Sequence, residues 1–319
     1  MIDVLIADKF EQVGLDTLSS LGLNFEYEPE LNGFSLQEKL TSASPKILVV
    51  RSTKINKQIL DASSLKLIIR AGAGYDTIDI AYAKIKGIKV ANCPGKNSAA
   101  VAELTLGLIL AIDRKIPDNV QSLREGRWNK KGFSRANGLY GRTLGLVGFG
   151  KIAEEVAKRA KVFGLDILVF SHWLTPEAAE HLGVKLAKNL EEIACRSDIV
   201  SVHSALTNQT KHLINENFFE SMKHEAYFIN TSRAELVDQF ALEKALSQNK
   251  IFAGLDVFED ELASGEGFYS GNLKNFKNAY CTHHIGASTK QAQEAVALEV
   301  VKIIEHYIKD QTVLNEVIR

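Results

Sequence analysis

Little in this chain points to a secreted, membrane-bound or nucleic-acid-binding protein. It has three cysteines in 319 residues, Cys93, Cys195 and Cys281, and no two form a C-x-x-C spacing. A disulfide framework is therefore not expected, nor is a metal site, and the natural compartment is a reducing, cytoplasmic one. Neither sign of charge dominates: 38 Lys and Arg stand against 39 Asp and Glu, with no basic run. Nucleic acid and anionic membrane surfaces drop out as main partners on that balance. No apolar run approaches membrane-spanning length. The opening MIDVLIADKF lacks the charged-then-apolar layout of a signal peptide and reads as a first strand. Low-complexity tracts and short-period repeats are missing too. A small molecule is left as the expected partner of a chain long enough for two ordinary domains.

What is present centres on residues 141–173. Thr143-Leu144-Gly145-Leu146-Val147 is a short apolar run suited to a buried parallel strand. It leads into Gly148-Phe149-Gly150-Lys151-Ile152-Ala153, a G-x-G-x-x-A turn. Ile152, Val156, Ala160 and Phe163 then recur at helical spacing, with Gly164 placed to end the helix. Asp166-Ile167-Leu168-Val169-Phe170 reads as the next strand. In such a unit the first glycine allows a tight bend and the second lets backbone approach a pyrophosphate. Ala153 keeps helix and strand close, and the helix N-terminus offers free N–H groups to the anion. A nicotinamide dinucleotide is the expected ligand. The acidic residue that usually ends the second strand and holds the ribose hydroxyls is absent. Ser171, His172 and Trp173 stand there, which leaves NAD against NADP open.

Residues 2–91 alternate strands (Val4–Ala7, Leu23–Tyr27, Ile47–Val50, Leu67–Ile69, Ile88–Val90) with helical stretches. That rhythm implies a parallel sheet covered on both faces. Two strand ends are polar: Val50 runs into Arg51-Ser52-Thr53, and Ile69 runs into Arg70-Ala71-Gly72-Ala73-Gly74, an arginine beside a Gly-rich turn that suits an anion. From Ala99 to Asp113 the chain is apolar enough for a buried helix, expected to cross between domains, and Ile116–Tyr140 reads as irregular, a dimer arm or a long surface connection. Strands are also expected at Asp198–Val202, Ala226–Ile229, Ile251–Val257 and Ala279–Cys281, with a loop carrying Gly265, Gly267 and Gly271 before the last, and a closing helix at Thr289–Ile308.

Three strands of the second half end in ionisable residues: Arg233, the cluster around Glu261 after Asp256, and His283-His284. An arginine binds a carboxylate through two parallel hydrogen bonds and polarises a neighbouring carbonyl. A histidine exchanges a proton with an alcohol or carbonyl oxygen near neutral pH, and a carboxylate behind it raises its pKa and fixes its ring. Beside a nicotinamide, those groups suit hydride transfer on a 2-hydroxy or 2-oxo acid. The plain alternative is that the histidines are satisfied loop residues and Glu261 a solvated charge.

The runs Arg70–Gly74 with Ile78-Asp79, Gly148–Ala153, Asn230–Arg233 with Val237-Asp238, Leu255–Phe258 with Glu261, and His284–Thr289 together resemble the D-isomer-specific 2-hydroxyacid dehydrogenases. The resemblance follows the whole chain in order. Val50-Arg51-Ser52, Arg70 and the stretch from His284 to Gln293 are most similar to the phosphoglycerate dehydrogenase branch, and an end at Arg319 suits its short form, without a regulatory domain. The resemblance implies an α/β protein with a Rossmann dinucleotide-binding domain (98–287) and a flavodoxin-like parallel-sheet substrate domain (1–97 and 288–319), dimeric through the cofactor domain. It implies Arg233, Glu261 and His284 as catalytic residues, and Arg51, Arg70, Ala71, Gly72, Ala73 and Gly74 for the substrate. Gly148, Phe149, Gly150, Lys151, Ile152, Ser171, His172, His203, Thr231 and Asp256 are implied for the cofactor, with Asp256 on the nicotinamide carboxamide. The substrate implied is 3-phosphoglycerate with 3-phosphohydroxypyruvate, the alternative a glyoxylate or hydroxypyruvate reductase. A non-catalytic NAD-binding regulator would have lost the Arg, Glu or His. The chain departs from the family pattern at Ser171 (usually Asp), Ala234 (usually Gly), and Leu262 and His283 (usually Pro). The last of these leaves two histidines competing for one role.

Overall fold

The computed structural model describes residues 3–262 and 266–317, so Gly265 of the expected Gly-rich loop lies outside the described residues. The chain divides into two compact units, Met1–Asn97 with Ala287–Arg319, and Ser98–Gly286. Strands β1 (Val4–Ile6), β2 (Phe25–Tyr27), β3 (Ile47–Val50), β4 (Leu67–Arg70) and β5 (Lys89–Asn92) make the first unit's sheet. All pairs are parallel, in the order β2-β1-β3-β4-β5. This is the flavodoxin-like order, and the chain reverses its direction of winding between β1 and β3. Helices α1 (Gln12–Ser20), α2 (Gly33–Ala43), α3 (Lys57–Asp61) and α4 (Ile80–Ile85) alternate with the strands.

The strand period of two divides the side chains between two cores. Val4, Ile6, Val49, Leu67 and Ile69 face one layer. Leu5, Leu48, Val50, Ile68 and Val90 face the other, with Leu36 and Leu40 of α2 and Ile59 and Leu60 of α3. Because both faces are covered, the central strands read as unbroken apolar runs.

The second unit opens with α5 (Ser98–Arg114), α6 (Ile116–Arg124) and α7 (Lys130–Phe133). Its strands are β6 (Thr143–Val147), β7 (Asp166–Phe170), β8 (Lys185–Leu186), β9 (Ile199–Val202), β10 (Ala226–Asn230), β11 (Ile251–Leu255) and β12 (Ala279–Cys281). They interleave with α8 (Lys151–Val162), α9 (Pro176–Leu182), α10 (Leu190–Arg196), α11 (Glu216–Ser221) and α12 (Gln239–Ser247). The parallel order β12-β11-β10-β9-β6-β7-β8 is that of a Rossmann sheet extended by one strand, with its reversal between β6 and β9. One face packs on α5 and α8 through Leu106, Ile109, Ile112, Val156 and Ala160. The other packs on α10 to α12 through Ile193, Phe218, Phe219, Leu242 and Ala245. The last helix, α13 (Lys290–Asp310), belongs to the first unit, where Val296, Val300, Ile303 and Ile304 close the first core.

Two expectations change. The segment 116–140 is not irregular throughout, because α6 follows α5 after a left-handed break at Lys115 (φ 48°). Pro117 at its first turn and Asp118 near its positive end favour the helix. Its apolar residues Ile116, Val120 and Leu123 recur at helical spacing and are exposed. The apolar helix α5 lies within the second unit from its first residue, and the boundary is the peptide before Ser98.

Candidate active site

In the second unit three strands deliver the ionisable side chains from their carboxyl ends. After β10 the buried Asn230 ties its own loop: its amide donates to the Arg233 carbonyl at 2.9 Å and its carbonyl accepts from the Ser232 N–H at 3.0 Å. Ser232 in turn donates to the Val202 carbonyl at 2.8 Å. Arg233 leaves this clamp in an extended conformation, with φ −142° and ψ 142°.

After β11 comes Asp256, 1% exposed. One of its oxygens accepts from the Thr282 hydroxyl at 2.6 Å and the Ile285 N–H at 2.8 Å, and the other accepts from the Gly286 N–H at 2.7 Å. Between those anchors His284 sits in the left-handed region at φ 52°, a conformation costly for a non-glycine residue unless its surroundings impose it. Sequence reasoning assigned Asp256 to the cofactor. Its partners among the described residues belong to the loop after β12, 26 to 30 residues along the chain.

His284 Nδ1 lies 2.8 Å from Glu261 Oε2, and the other Glu261 oxygen accepts from the Phe258 N–H at 3.0 Å. The carboxylate accepts a hydrogen bond from Nδ1–H, and among the described residues Nε2 has no partner. The Glu261 hydrogen bond holds the imidazole pKa above its ordinary value, against partial burial and the positive charge of Arg233. His283 is exposed, and the carboxylate is paired with its neighbour.

The turn after β6 has the shape a dinucleotide pyrophosphate requires. Gly148 has φ 88°, and a Cβ there would stand 2.8 Å from the Ser204 nitrogen, so only glycine fits. Gly150 is the N-cap of α8 with no side-chain cap, and nothing lies within 4 Å of where its Cβ would be. The first N–H groups of a twelve-residue helix thus open onto clear space. Ala153 is fully buried, while Phe149 and Ile152 pack on the core and the Lys151 amine lies 3.7 Å from Glu154.

The other residues implied for the cofactor are differently engaged. The Thr231 hydroxyl is buried against that of Thr105 at 3.0 Å. His203 Nε2 meets the Ser201 hydroxyl at 2.9 Å, and burial pushes the ring pKa down to about 4, so it is neutral. The Ser171 hydroxyl accepts from the Trp173 N–H at 3.2 Å and keeps its own proton to donate. His172 sets its ring edge-on to Phe170, with centroids 5.2 Å apart.

In the first unit the Gly72 backbone has φ 152°, and a Cβ there would run into the Arg70 guanidinium. Ala71 and Gly72 commit their N–H groups to the carbonyls of Val50 and Arg70, at 2.7 and 2.8 Å. The Asn92 amide holds the Ala73 carbonyl at 2.6 Å. The N–H groups of Ala73 and Gly74 have no acceptor among the described residues, which narrows the expected anion loop to those two donors. Arg51 is half-buried, and its own N–H donates to Asp8 at 2.6 Å. Among the described residues no three His, Cys, Asp or Glu side chains group as a metal site, and no helix is long and apolar enough to cross a membrane.

The comparisons with known proteins agree with this chemistry. Residues 106–286 match the family described as "D-isomer specific 2-hydroxyacid dehydrogenase, NAD binding domain". The D-3-phosphoglycerate dehydrogenase of Methanocaldococcus jannaschii is 38% identical over 99% of this chain, which spans 59% of that protein's length. The hydroxypyruvate reductase of Thermotoga maritima is 43% identical over 81% of this chain and 83% of its own. Among solved structures, D-lactate dehydrogenase from Aquifex aeolicus, complexed with NAD and lactic acid, superposes with a TM-score of 0.87 at 28% identity over 99% of both chains. With a Rossmann turn open to an anion and a carboxylate-backed histidine in a unit that matches the family's own model, the chain belongs to the D-isomer specific 2-hydroxyacid dehydrogenases.

Proposed function

We propose that the protein is an NAD(P)-dependent D-2-hydroxyacid dehydrogenase acting on 3-phosphoglycerate and 3-phosphohydroxypyruvate. The observation that carries the reading is the His284–Glu261 pair at 2.8 Å, with a positively charged arginine near enough to affect the ring. Gly148, Gly150 and the N-terminus of α8 would hold the pyrophosphate, and Ser171 and His172, at the end of β7, would be the residues offered to the adenosine ribose. When bound, the nicotinamide supplies or accepts the hydride at C2 of the acid. During reduction His284 gives the Nε2 proton to the C2 oxygen, while the Glu261 carboxylate accepts a hydrogen bond from Nδ1–H, which stays on the ring, and favours the charged imidazolium. Arg233 polarises the carbonyl and braces the carboxylate. Within the first unit, the open backbone N–H groups of Ala73 and Gly74 suit a carboxylate, and the Arg51 and Arg70 guanidinium groups suit a phosphate.

Ser171 tolerates a 2′-phosphate without recognising it, because no Arg or Lys occurs in residues 171–175. Both cofactors therefore serve, with a modest preference for NAD. A second reading, reduction of hydroxypyruvate or glyoxylate, is favoured by the 43% identity to the Thermotoga enzyme. A panel of 2-oxo acids assayed with NADH and NADPH separates the two. Phosphohydroxypyruvate should exceed hydroxypyruvate in kcat/KM, with Arg51→Ala removing most of the difference. Equal activity on both acids would hand the site to the second reading.

The exposed Ile116, Val120 and Leu123 of α6, with Trp128 at 80% exposure beyond them, support a homodimer through the second unit. Three unpaired cysteines support a cytoplasmic setting.

A further inference from the structure

The sheet of the first unit reverses its winding between β1 and β3, the place where ligands of such sheets bind. Asp8 follows β1 and Arg51 follows β3. The parallel register Ile6↔Val49, continued two residues, sets the one opposite the other. There the Asp8 carboxylate collects five donors. One oxygen accepts from the backbone N–H groups of Arg51, Ser52 and Thr53 at 2.6, 3.0 and 3.1 Å. The other accepts from the Thr53 hydroxyl at 3.0 Å and the Ser52 hydroxyl at 3.4 Å. Three successive N–H groups converging on one oxygen make a backbone nest of the kind that binds phosphate or carboxylate ligands. In this chain an internal anion occupies it.

Two consequences follow. An incoming phosphate is denied the backbone of this loop, which has only the Arg51 guanidinium left to offer it. The backbone that carries that guanidinium is fixed at its own nitrogen by a charge-assisted hydrogen bond. We infer that Asp8 is a positioning residue that orders the Arg51–Thr53 loop and so sets the preference for a phosphorylated over an unphosphorylated 2-oxo acid, an inference that rests on the phosphate reading of Arg51 above.

The test is steady-state kinetics of the full-length enzyme with NADH, on phosphohydroxypyruvate and on glyoxylate, for wild type and Asp8→Ala. Losing the clamp should raise KM for phosphohydroxypyruvate about tenfold, the scale of one hydrogen bond to a charged group. KM for glyoxylate and both kcat values should stay within about twofold, since this contact answers only the phosphate. Excess formate, a carboxylate small enough for the vacated nest, should restore KM in Asp8→Ala and do nothing to wild type. If Asp8→Ala does not fold, Asp8→Asn carries the test: its carbonyl still accepts from the loop N–H groups but without the charge, so KM for phosphohydroxypyruvate alone should rise, by a smaller factor.

A parallel loss on both acids, or no rescue by formate, would reduce Asp8 to a support of the fold and overturn the inference. An unchanged or lowered KM for phosphohydroxypyruvate would overturn it too, since the emptied nest would then serve the phosphate. A wild type that does not prefer the phosphorylated acid fails the phosphate reading itself, and this role with it. A preference that survives in Asp8→Ala fails this role alone.

Discussion

The loop after β3 and the turn after β6 occupy equivalent places, each at the carboxyl end of a strand where its sheet reverses direction. Both present converging backbone N–H groups. In the first the donors are taken by the Asp8 carboxylate. In the second Gly150 caps α8 with no side chain at all, and the donors stay open. The loop after β12 repeats the first arrangement, with Asp256 supplying the carboxylate that gathers Thr282, Ile285 and Gly286. The comparison separates two uses of one device. A loop filled from within is tied by its own carboxylate and presents a side chain, Arg51 in one case and His284 in the other. A loop left empty presents its backbone, and waits for an anion from outside.

The difference can be broken first at the side chain a filled loop presents. His284→Ala should lower turnover roughly 10²–10⁴-fold, the usual cost of a lost general acid. His283→Ala should be mild, because Glu261 pairs with His284. Turnover numbers for the two variants decide it, and a larger loss at His283 would reverse the assignment.

Next, the open turn can be filled. Gly150→Asp places a carboxylate at the N-cap of α8, where φ −98° and ψ −168° suit a capping residue and space is clear. Stability should rise by a few tenths of a kcal/mol in thermal unfolding. The cofactor Kd, read by nicotinamide fluorescence, should rise about tenfold or more as two anions compete for one helix end. Unaltered cofactor binding would mean that the pyrophosphate does not use this turn.

Third, a filled loop can be emptied. Asp256→Ala leaves N–H groups of Ile285 and Gly286 without their acceptor, which should cost about 1–3 kcal/mol in urea unfolding. It should also lower kcat, because nothing then holds His284 at positive φ. A stable variant with full kcat would show that the loop keeps its shape unaided.

How much of this was legible in the sequence depended on how local each cause is. β3 was readable to its last residue, since Ile47–Val50 is an apolar run closed by polar residues at both ends. The Gly148–Ala153 turn was readable because its glycines sit inside a strand–helix pattern. α6 was missed although Ile116, Val120 and Leu123 recur at helical spacing around Pro117, because the polar and aromatic residues after it set the reading of the whole segment, and α11 because six residues with adjacent Phe218 and Phe219 give no period to count. Arg233, Glu261 and His284 stood out as strand-end charges, though only the family resemblance singled them out from their neighbours. The partners of Asp8 and Asp256 were not legible at all. Asp8 meets Arg51 across 43 residues, through a strand register that no local pattern fixes.

The central claim is that Glu261 keeps His284 charged to donate a proton, and the pH dependence of kcat/KM tests it most directly. The folded pKa of His284 lies above its ordinary 6.5, chiefly through the Glu261 hydrogen bond. Reduction of the 2-oxo acid should therefore be full at low pH and fall as pH rises through that raised value, with oxidation of the 2-hydroxy acid showing the opposite limb. In Glu261→Gln the falling limb of reduction should move to lower pH. A limb that stays where it was in wild type, or moves upward, would contradict the account.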